Sequence, residues 1–493
     1  MSDWIAAAPL LCVVIGGLAM MLVDAFFDEQ SELATTTALV LGSAVAMALA
    51  LWRGGYTAPE ESLLSAWLAT DKLALFSDVV IGLGAALAAL LAGGYLREHR
   101  LERGEFYPLL LFTAFGAMVL ARSVDLLSLF VGLETMSLGV YALIAYRRTS
   151  ERSAEAGIKY FLLGSFAAAL LLLGSAYLYG ATGHTDFVGI AAAIKGGTSD
   201  TRLVAIALML VLGGFAFKVS AVPFHMWTPD AYEGATTPVT TFMAVCVKTA
   251  VFVVMVRLFL VGLGAPDLVS GASGWPPVLA GLAAVTMVFG NLGAIVQSSV
   301  KRMLAYSSIA HAGYILIGLV AAAKIGEQAI SAVLFYLAAY TVSNVLAFGA
   351  LVFAGSRGRE VVSYEDLAGL GRRSPMLALP FVLGILSLMG FPPTAGFFAK
   401  YYVFTAAVEA GGGLVWLAVL GALTSAVGAY YYLRVLVFLF MREPAEGAEV
   451  AQPMSSGYVV TAMVVAAGFV LQMGIAPSGY LKVVSAAAKL LAV

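Results

Sequence analysis

The chain has 493 residues, of which 61% are hydrophobic and only 11% charged. Soluble domains carry about a quarter charged residues, so the composition excludes a soluble enzyme and reads as an all-α polytopic membrane protein. A formal net charge of −2 offers no basic field for nucleic acid, and Cys12 and Cys246, each inside an apolar run, match no metal, iron–sulfur or disulfide spacing.

Apolar runs long enough to cross a bilayer recur along the chain, separated by short polar breaks. They are expected near 5–27, 33–52, 73–95, 106–122, 125–146, 156–180 and 203–227, then 236–262, 275–297, 303–323, 329–353, 375–404, 413–440 and 455–474. That makes about fourteen transmembrane helices. The start, MSDWIAAAPLL, lacks a positively charged n-region, so the first run is expected to be retained as a span. The segment from Pro477 is shorter and mildly amphipathic, suited to the lipid surface or to packing. The longest polar breaks, 53–72 and 181–202, are too short for a folded catalytic domain, which leaves any chemistry to the helices.

Basic residues are unevenly shared among the loops. Arg97, Arg100 and Arg103 follow the third span, and Arg147, Arg148 and Arg152 the fifth. Lys301 and Arg302 follow the ninth, and Arg357, Arg359, Arg372 and Arg373 the eleventh. The positive-inside rule assigns these odd-numbered loops to the cytoplasm and both termini to the periplasmic side of a bacterial inner membrane. Lys195 and Arg202 run against the trend.

A charge at the centre of a spanning helix costs roughly 2.5–3.5 kcal/mol. Four residues lie in such positions: Glu134, Lys218, Lys248 and Lys400. Snorkelling suits residues one turn from a span end, such as Lys159, Arg257 and Arg434, but not these four. A buried ammonium loses its proton readily, and a nearby carboxylate reverses that effect, so a lysine with a movable partner is a switchable proton site. Arginine cannot serve, because it stays charged. His225 and His311 could each relay protons, the first between Lys218 and Lys248, or could each be hydrogen-bonded structure. His99 and His184 lie in loops and are not counted.

Prolines accompany two of the lysines. Within a continuous helix Pro223 would free the carbonyl of Val219, next to Lys218, and Pro392 and Pro393 would free those of Leu388 and Met389, before Lys400. Broken helices at membrane depth line cavities or ion sites. The two broken spans, the seventh and twelfth, occupy corresponding places in two five-helix units, 106–262 and 275–440. Five is odd, so the units have inverted orientation. A three-helix segment, 1–105, precedes them, and 441–493 holds a last helix and a tail.

Three stretches, FKVSAVPFHMWTPDAYEGATTPVTTF, VKRMLAYSSIAHAGYILIG and GFPPTAGFFAKYYVF, resemble the antiporter-like membrane subunits of respiratory complex I, the proton-pumping NADH:quinone oxidoreductase. The similarity covers at least 106–440. It implies fourteen helices in this arrangement and proton translocation, as a non-redox subunit of a respiratory-chain translocase. It also implies that Glu134 and Lys218 form a controlling pair, Lys248 a central relay and Lys400 the exit-side residue. Within the family the N-type subunit fits best. The distal type would need a long C-terminal lateral helix, and the middle type is expected to carry glutamate where Lys400 stands. The segment 53–72 is the departure from the family pattern. No cofactor is expected in this subunit; NAD, FMN, iron–sulfur clusters and quinone belong elsewhere in the complex. The partners implied are other membrane-arm subunits, the lipid bilayer, protons and water. Alternatives are a subunit of a Mrp-type sodium/proton antiporter or of a membrane-bound hydrogenase, or a structural scaffold that passes no protons.

Overall fold

The computed structural model describes residues 2–26, 32–55, 64–269, 274–355, 358–444 and 451–489. Arg357 and much of the 53–72 segment lie outside the described residues. Among those described, the fold is helical throughout, with only three isolated backbone bridges.

Among the described residues, fourteen helices or helix pairs stand at the expected spans, in order: α1 (Ala8–Phe26), α2 (Leu33–Gly54), α3 (Lys72–Glu98), α4 (Phe106–Arg122), α5 (Leu126–Ile144), α6 (Glu151–Thr182) and α7 (Thr201–Val219, continued by Trp227–Gly234). Then come α8 (Thr237–Gly262), α9 (Trp275–Ile295), α10 (Val300–Ile325), α11 (Glu327–Ala354), α12 (Pro375–Met389 with Ala395–Glu409), α13 (Val415–Met441) and α14 (Gly457–Ile475). Twelve are long and apolar enough to span a membrane as single helices. The others are α4, of 17 residues, and α12, whose two limbs are too short singly. The helix α15 (Pro477–Ala488) packs on α11 and α3, burying Val484, Ala487 and Ala488. Of its two expected roles it takes the packing one.

Local chemistry starts the helices where the polar breaks are. Asp71, Asp125, Asp186, Asp200, Ser150 and Ser299 each accept a backbone N–H of the first turn they precede. Helices α3, α8, α10 and α11 are buried around nearly their whole circumference and form the core. Helices α1, α2, α6, α13 and α14 turn apolar side chains outward, as a lipid-facing rim requires.

The two five-helix units share their connections. The first peptide N–H of α5, at Leu126, donates to Thr185 O in the loop before α7, at 2.9 Å. The first of α10, at Val300, donates to Val362 O in the loop before α12, at 2.8 Å. The bridges Asp125–Asp186 and Ser299–Ser363 mark the same joints. Helix α7 stops at Ser220 (φ 68°) and the first limb of α12 at Gly390 (φ 88°), both left-handed, with a proline three residues later in each. Aligned on those residues, Lys218 lies two positions before its break and Lys400 ten positions after. The two lysines are not equivalent.

Several buried charges outside the central four are paired. Arg257, expected to snorkel, is instead buried, and its guanidinium grips Asp71 at 2.6 and 2.7 Å. The fully buried Arg122 pairs with Asp78 and donates to Ala6 O at 3.0 Å. A neighbouring carboxylate removes the reason to reach for water. Lys159 does lie at the surface, bonded to Glu155 and Asp230.

Candidate functional site

Lys218 is the penultimate residue of the first limb of α7 and is 1% exposed. Its ammonium donates to Ser137 Oγ on α5 at 2.8 Å and faces the rings of Tyr160 and Tyr141 at 5.5 and 5.7 Å. The sequence had suggested that the proline break supplies its polar partner. The helix instead ends at Val219, and the partner comes from another helix. Glu134 stands one turn before Ser137 and within Coulombic reach of Lys218, yet its Oε1 is buried without a hydrogen-bond partner. No carboxylate of the described residues lies within 4.0 Å of Lys218, Lys248 or Lys400.

Lys248 follows a π-helical turn, Met243–Val247, that no sequence signal announces. Such turns shift the facing of the next residues and concentrate at functional sites. Its ammonium donates to the carbonyl of Ser308 and, at 2.6 Å, to Ser308 Oγ. That hydroxyl is a hub. Tyr340 donates to it at 2.8 Å, and Tyr232 meets it at 3.2 Å.

His311 stands one turn further along α10, fully inside the core. Its Nδ1 bonds Tyr336 OH at 2.6 Å and its Nε2 bonds Tyr432 OH at 3.1 Å. Tyr432 OH also meets Ser307 Oγ at 2.5 Å. The imidazole lies 5.1 Å from the ring of Tyr340, beside Lys248, and 5.8 Å from that of Tyr314.

Tyr314 leads to the third lysine. Lys400 Nζ lies 5.1 Å from its ring and donates to Ser425 Oγ at 2.7 Å and to Met389 O at 2.8 Å. Met389 O is one of the carbonyls that the Pro392–Pro393 break was expected to free, so here the break does serve the lysine. Gly390 makes room for it, since a Cβ there would come within 3.0 Å of Lys400 Cδ. Tyr314 OH is held by Asn291 Nδ2 at 2.9 Å, and Asn291 Oδ1 accepts from Tyr431 OH at 3.0 Å.

The tertiary structure thus brings Lys248, His311 and Lys400 into one polar row through Ser308, Tyr340, Tyr336, Tyr432 and Tyr314. His225 is in neither gap. It sits half-buried in the α7 break beside exposed Met226, its Nδ1 has no partner, and no hydrogen bond joins it to Lys218 or Lys248. Ser137, Ser425 and the core tyrosines Tyr232, Tyr336, Tyr340 and Tyr432 were missed by sequence reasoning. Hydroxyl residues are scattered through all the spans, and only packing distinguishes those that meet an ammonium.

Comparison with known proteins agrees with this architecture. The family model for the membrane region of NADH:quinone oxidoreductase and Mrp antiporters matches residues 123–427. NADH-quinone oxidoreductase subunit N 1 of Sorangium cellulosum is 55% identical over 494 residues, covering 97% of each chain. Among solved structures, a chain of respiratory complex I from Thermus thermophilus is 36% identical, with a TM-score of 0.80 over 97% of this chain and 99% of that one. A chain of the Mrp complex from Dietzia sp. DQ12-45-1b reaches a TM-score of 0.84, covering 99% of this chain and 97% of that one, at 23% identity, a likeness of fold. The chain belongs to the NADH:quinone oxidoreductase/Mrp antiporter membrane family and, within it, to the subunit N chains of the NADH-quinone oxidoreductases.

Proposed function

We propose that the chain moves protons across a bacterial inner membrane as a non-redox subunit of a proton-pumping NADH:quinone oxidoreductase. The observation that carries this reading is the set of three buried lysines, Lys218, Lys248 and Lys400, each bonded to neutral oxygens. An ammonium so placed is costly in its charged form and can give its proton to a neighbouring hydroxyl or imidazole. Carboxylate partners would hold it charged.

The roles follow from position. Glu134 and Lys218 form a control pair that is open here, with Ser137 beside the ammonium. When Glu134 approaches, Lys218 is held protonated; when it withdraws, the ammonium loses that support, and the change of field acts on Lys248. Lys248 passes its proton through Ser308 and the His311–tyrosine cluster to Lys400, whose limb of α12 leads to the periplasmic side. His225 has no position in this sequence of transfers. The redox energy is supplied by NAD, FMN, iron–sulfur and quinone chemistry in partner subunits. The basic loops face the cytoplasm and both termini the periplasm. The division 1–105, 106–262, 275–440 and 441–493 is the corresponding domain scheme, with the middle two as inverted repeats.

The test is NADH-driven proton translocation in vesicles holding the intact complex, with Lys218→Gln or Lys248→Met in this subunit. A lower number of protons per NADH with full assembly is expected. An unchanged ratio in both variants would sink the reading.

A further inference from the structure

Arg257 and Arg434 stand near the far ends of the last helices of the two five-helix units, and the relay described above uses neither. Arg257 is the 21st residue of α8 and Arg434 the 20th of α13. Each reaches back to the end of its unit's first helix. Arg257 Nε donates to Ala121 O at 3.1 Å, and Arg434 Nη1 donates to Ile295 O at 3.4 Å and to Gln297 O at 3.2 Å. Ala121 and Ile295 each lie four residues before the bridge residue at the joint of their unit, Asp125 and Ser299. The same contact is therefore made twice, once in each unit.

The two contacts lie at opposite faces. Arg434 meets the stretch that leads into Lys301 and Arg302, at the basic-loop face. Helix α8 begins at that face, where Thr237 and Lys301 share Glu360. Arg257 is about 30 Å further along it, at the other face.

Each end is filled in its own way. Arg257 is 3% exposed and its charge is matched by Asp71; next to Ala121, the buried Arg122 forms a second pair with Asp78. Between Lys248 and Arg257 the helix is buried and, apart from Thr249, apolar, and Thr249 Oγ1 turns back to Val245 O at 2.7 Å. Arg434 is half-buried, its guanidinium 4.3 Å from the ring of Tyr364 and 5.9 Å from that of Phe438. No carboxylate of the described residues lies within 4.0 Å of it, so its charge is unbalanced. It follows Tyr432, which bonds His311 and Ser307, by two residues, about 3 Å along the axis of α13. It thus stands between the relay and the basic-loop face.

We propose that Arg257 and Arg434 are proton seals, one for each unit. Arg257, with Asp71 and the Arg122–Asp78 pair, closes Lys248 off from the periplasmic side. Arg434 closes the tyrosine–Lys400 part of the relay off from the cytoplasmic side. This rests on the proton-translocation reading, because a proton held on Lys248 or Lys400 stores no energy if it can leave by the wrong face. Arginine suits a seal where lysine suits a relay: it keeps its proton under all ordinary conditions and cannot hand one on. A fixed cation also bars protons from a pore. Arg434 acts through that charge. Arg257, balanced by Asp71, acts by filling the end with groups already bonded to one another.

The test follows the decay of an imposed pH gradient, without NADH, in vesicles holding the intact complex. Arg434→Met leaves no carboxylate unpaired, so folding is preserved. The leak should rise about tenfold, the effect of removing a unit charge within about 10 Å of the relay at an effective permittivity of about 20, while NADH oxidation stays at the parental rate. Adding Lys400→Met should return the leak to the parental level, since the proton must cross that lysine. The double variant Arg257→Met with Asp71→Asn removes both charges while asparagine still caps α3. Its leak should rise about fivefold, the factor carried by a lost hydrogen bond, and Lys248→Met should abolish the rise. A parental leak in Arg434→Met, or a raised one that Lys400→Met does not reverse, overturns the seals whatever the double variant does. An unchanged number of protons per NADH in both Lys218→Gln and Lys248→Met overturns instead the translocation reading beneath them.

Discussion

Between Lys248 and Lys400 the core is threaded by hydroxyls, an imidazole and a carboxamide. Between Lys218 and Lys248 it is packed with rings. Lys218 faces Tyr160, Tyr160 lies 4.5 Å from Trp227, and Trp227 lies 6.3 Å from Tyr232, centroid to centroid. Trp227 Nε1 is already committed to Phe217 O at 2.9 Å. An aromatic face steadies a cation by about 0.5–2 kcal/mol, but it neither takes nor gives a proton. A hydroxyl does both. On the proposed function, the first stretch holds and senses charge and the second conducts it. Lysine alone does not mark a proton path; the groups between lysines decide.

This contrast can be broken at graded points. Lys248→Met removes the group at which the two stretches meet, and transfer through this subunit should fall by at least about tenfold, a barrier rise of about 1.4 kcal/mol or more, read as protons per NADH in vesicles. Tyr432→Phe deletes the hydroxyl shared by Ser307 and His311, and a fall of about fivefold is expected from the lost hydrogen bonds; an unchanged rate would show that the conducting stretch runs elsewhere. Lys400→Glu leaves a titratable group beside Met389 O and Ser425. Protonated, it can donate as lysine does, so partial transfer, down roughly twofold to threefold, is the expected result. Complete insensitivity would make Lys400 a structural charge. The smallest effect belongs to Tyr141→Phe. Its hydroxyl is buried near Ser137 and Ser165 but makes no well-aligned hydrogen bond, so the loss should change stability by no more than about 1 kcal/mol and leave pumping intact. A large pumping defect there would mean that the aromatic stretch conducts after all.

The four central charges were legible because the bilayer makes them so. In a chain with 11% charged residues, a lysine well inside a span has few reasons to be there. The breaks were legible for a similar reason, since Pro223 and the pair Pro392–Pro393 cannot complete a helix. What the breaks do was not. Lys400 reaches a carbonyl at its own break, Met389 O, while Lys218 turns to Ser137 on a different helix. Arg257 shows the same limit from the other side. Its place near a span end suggested snorkelling, and only the fold reveals Asp71, 186 positions away in the chain, at its guanidinium.

Periodicity, hydropathy and proline placement by themselves determined a helical membrane protein, its spans, its two broken helices and its three central buried lysines, because each is a property of a segment meeting lipid. The tertiary structure decided who touches whom. It set Ser308 against Lys248, put His311 between two lysines and His225 outside the row, left Glu134 short of Lys218, and placed Arg257 and Arg434 at matching joints of the two units. Those are contacts between helices distant in sequence, and a hydroxyl carries no mark in its own helix of the ammonium it will meet across the core.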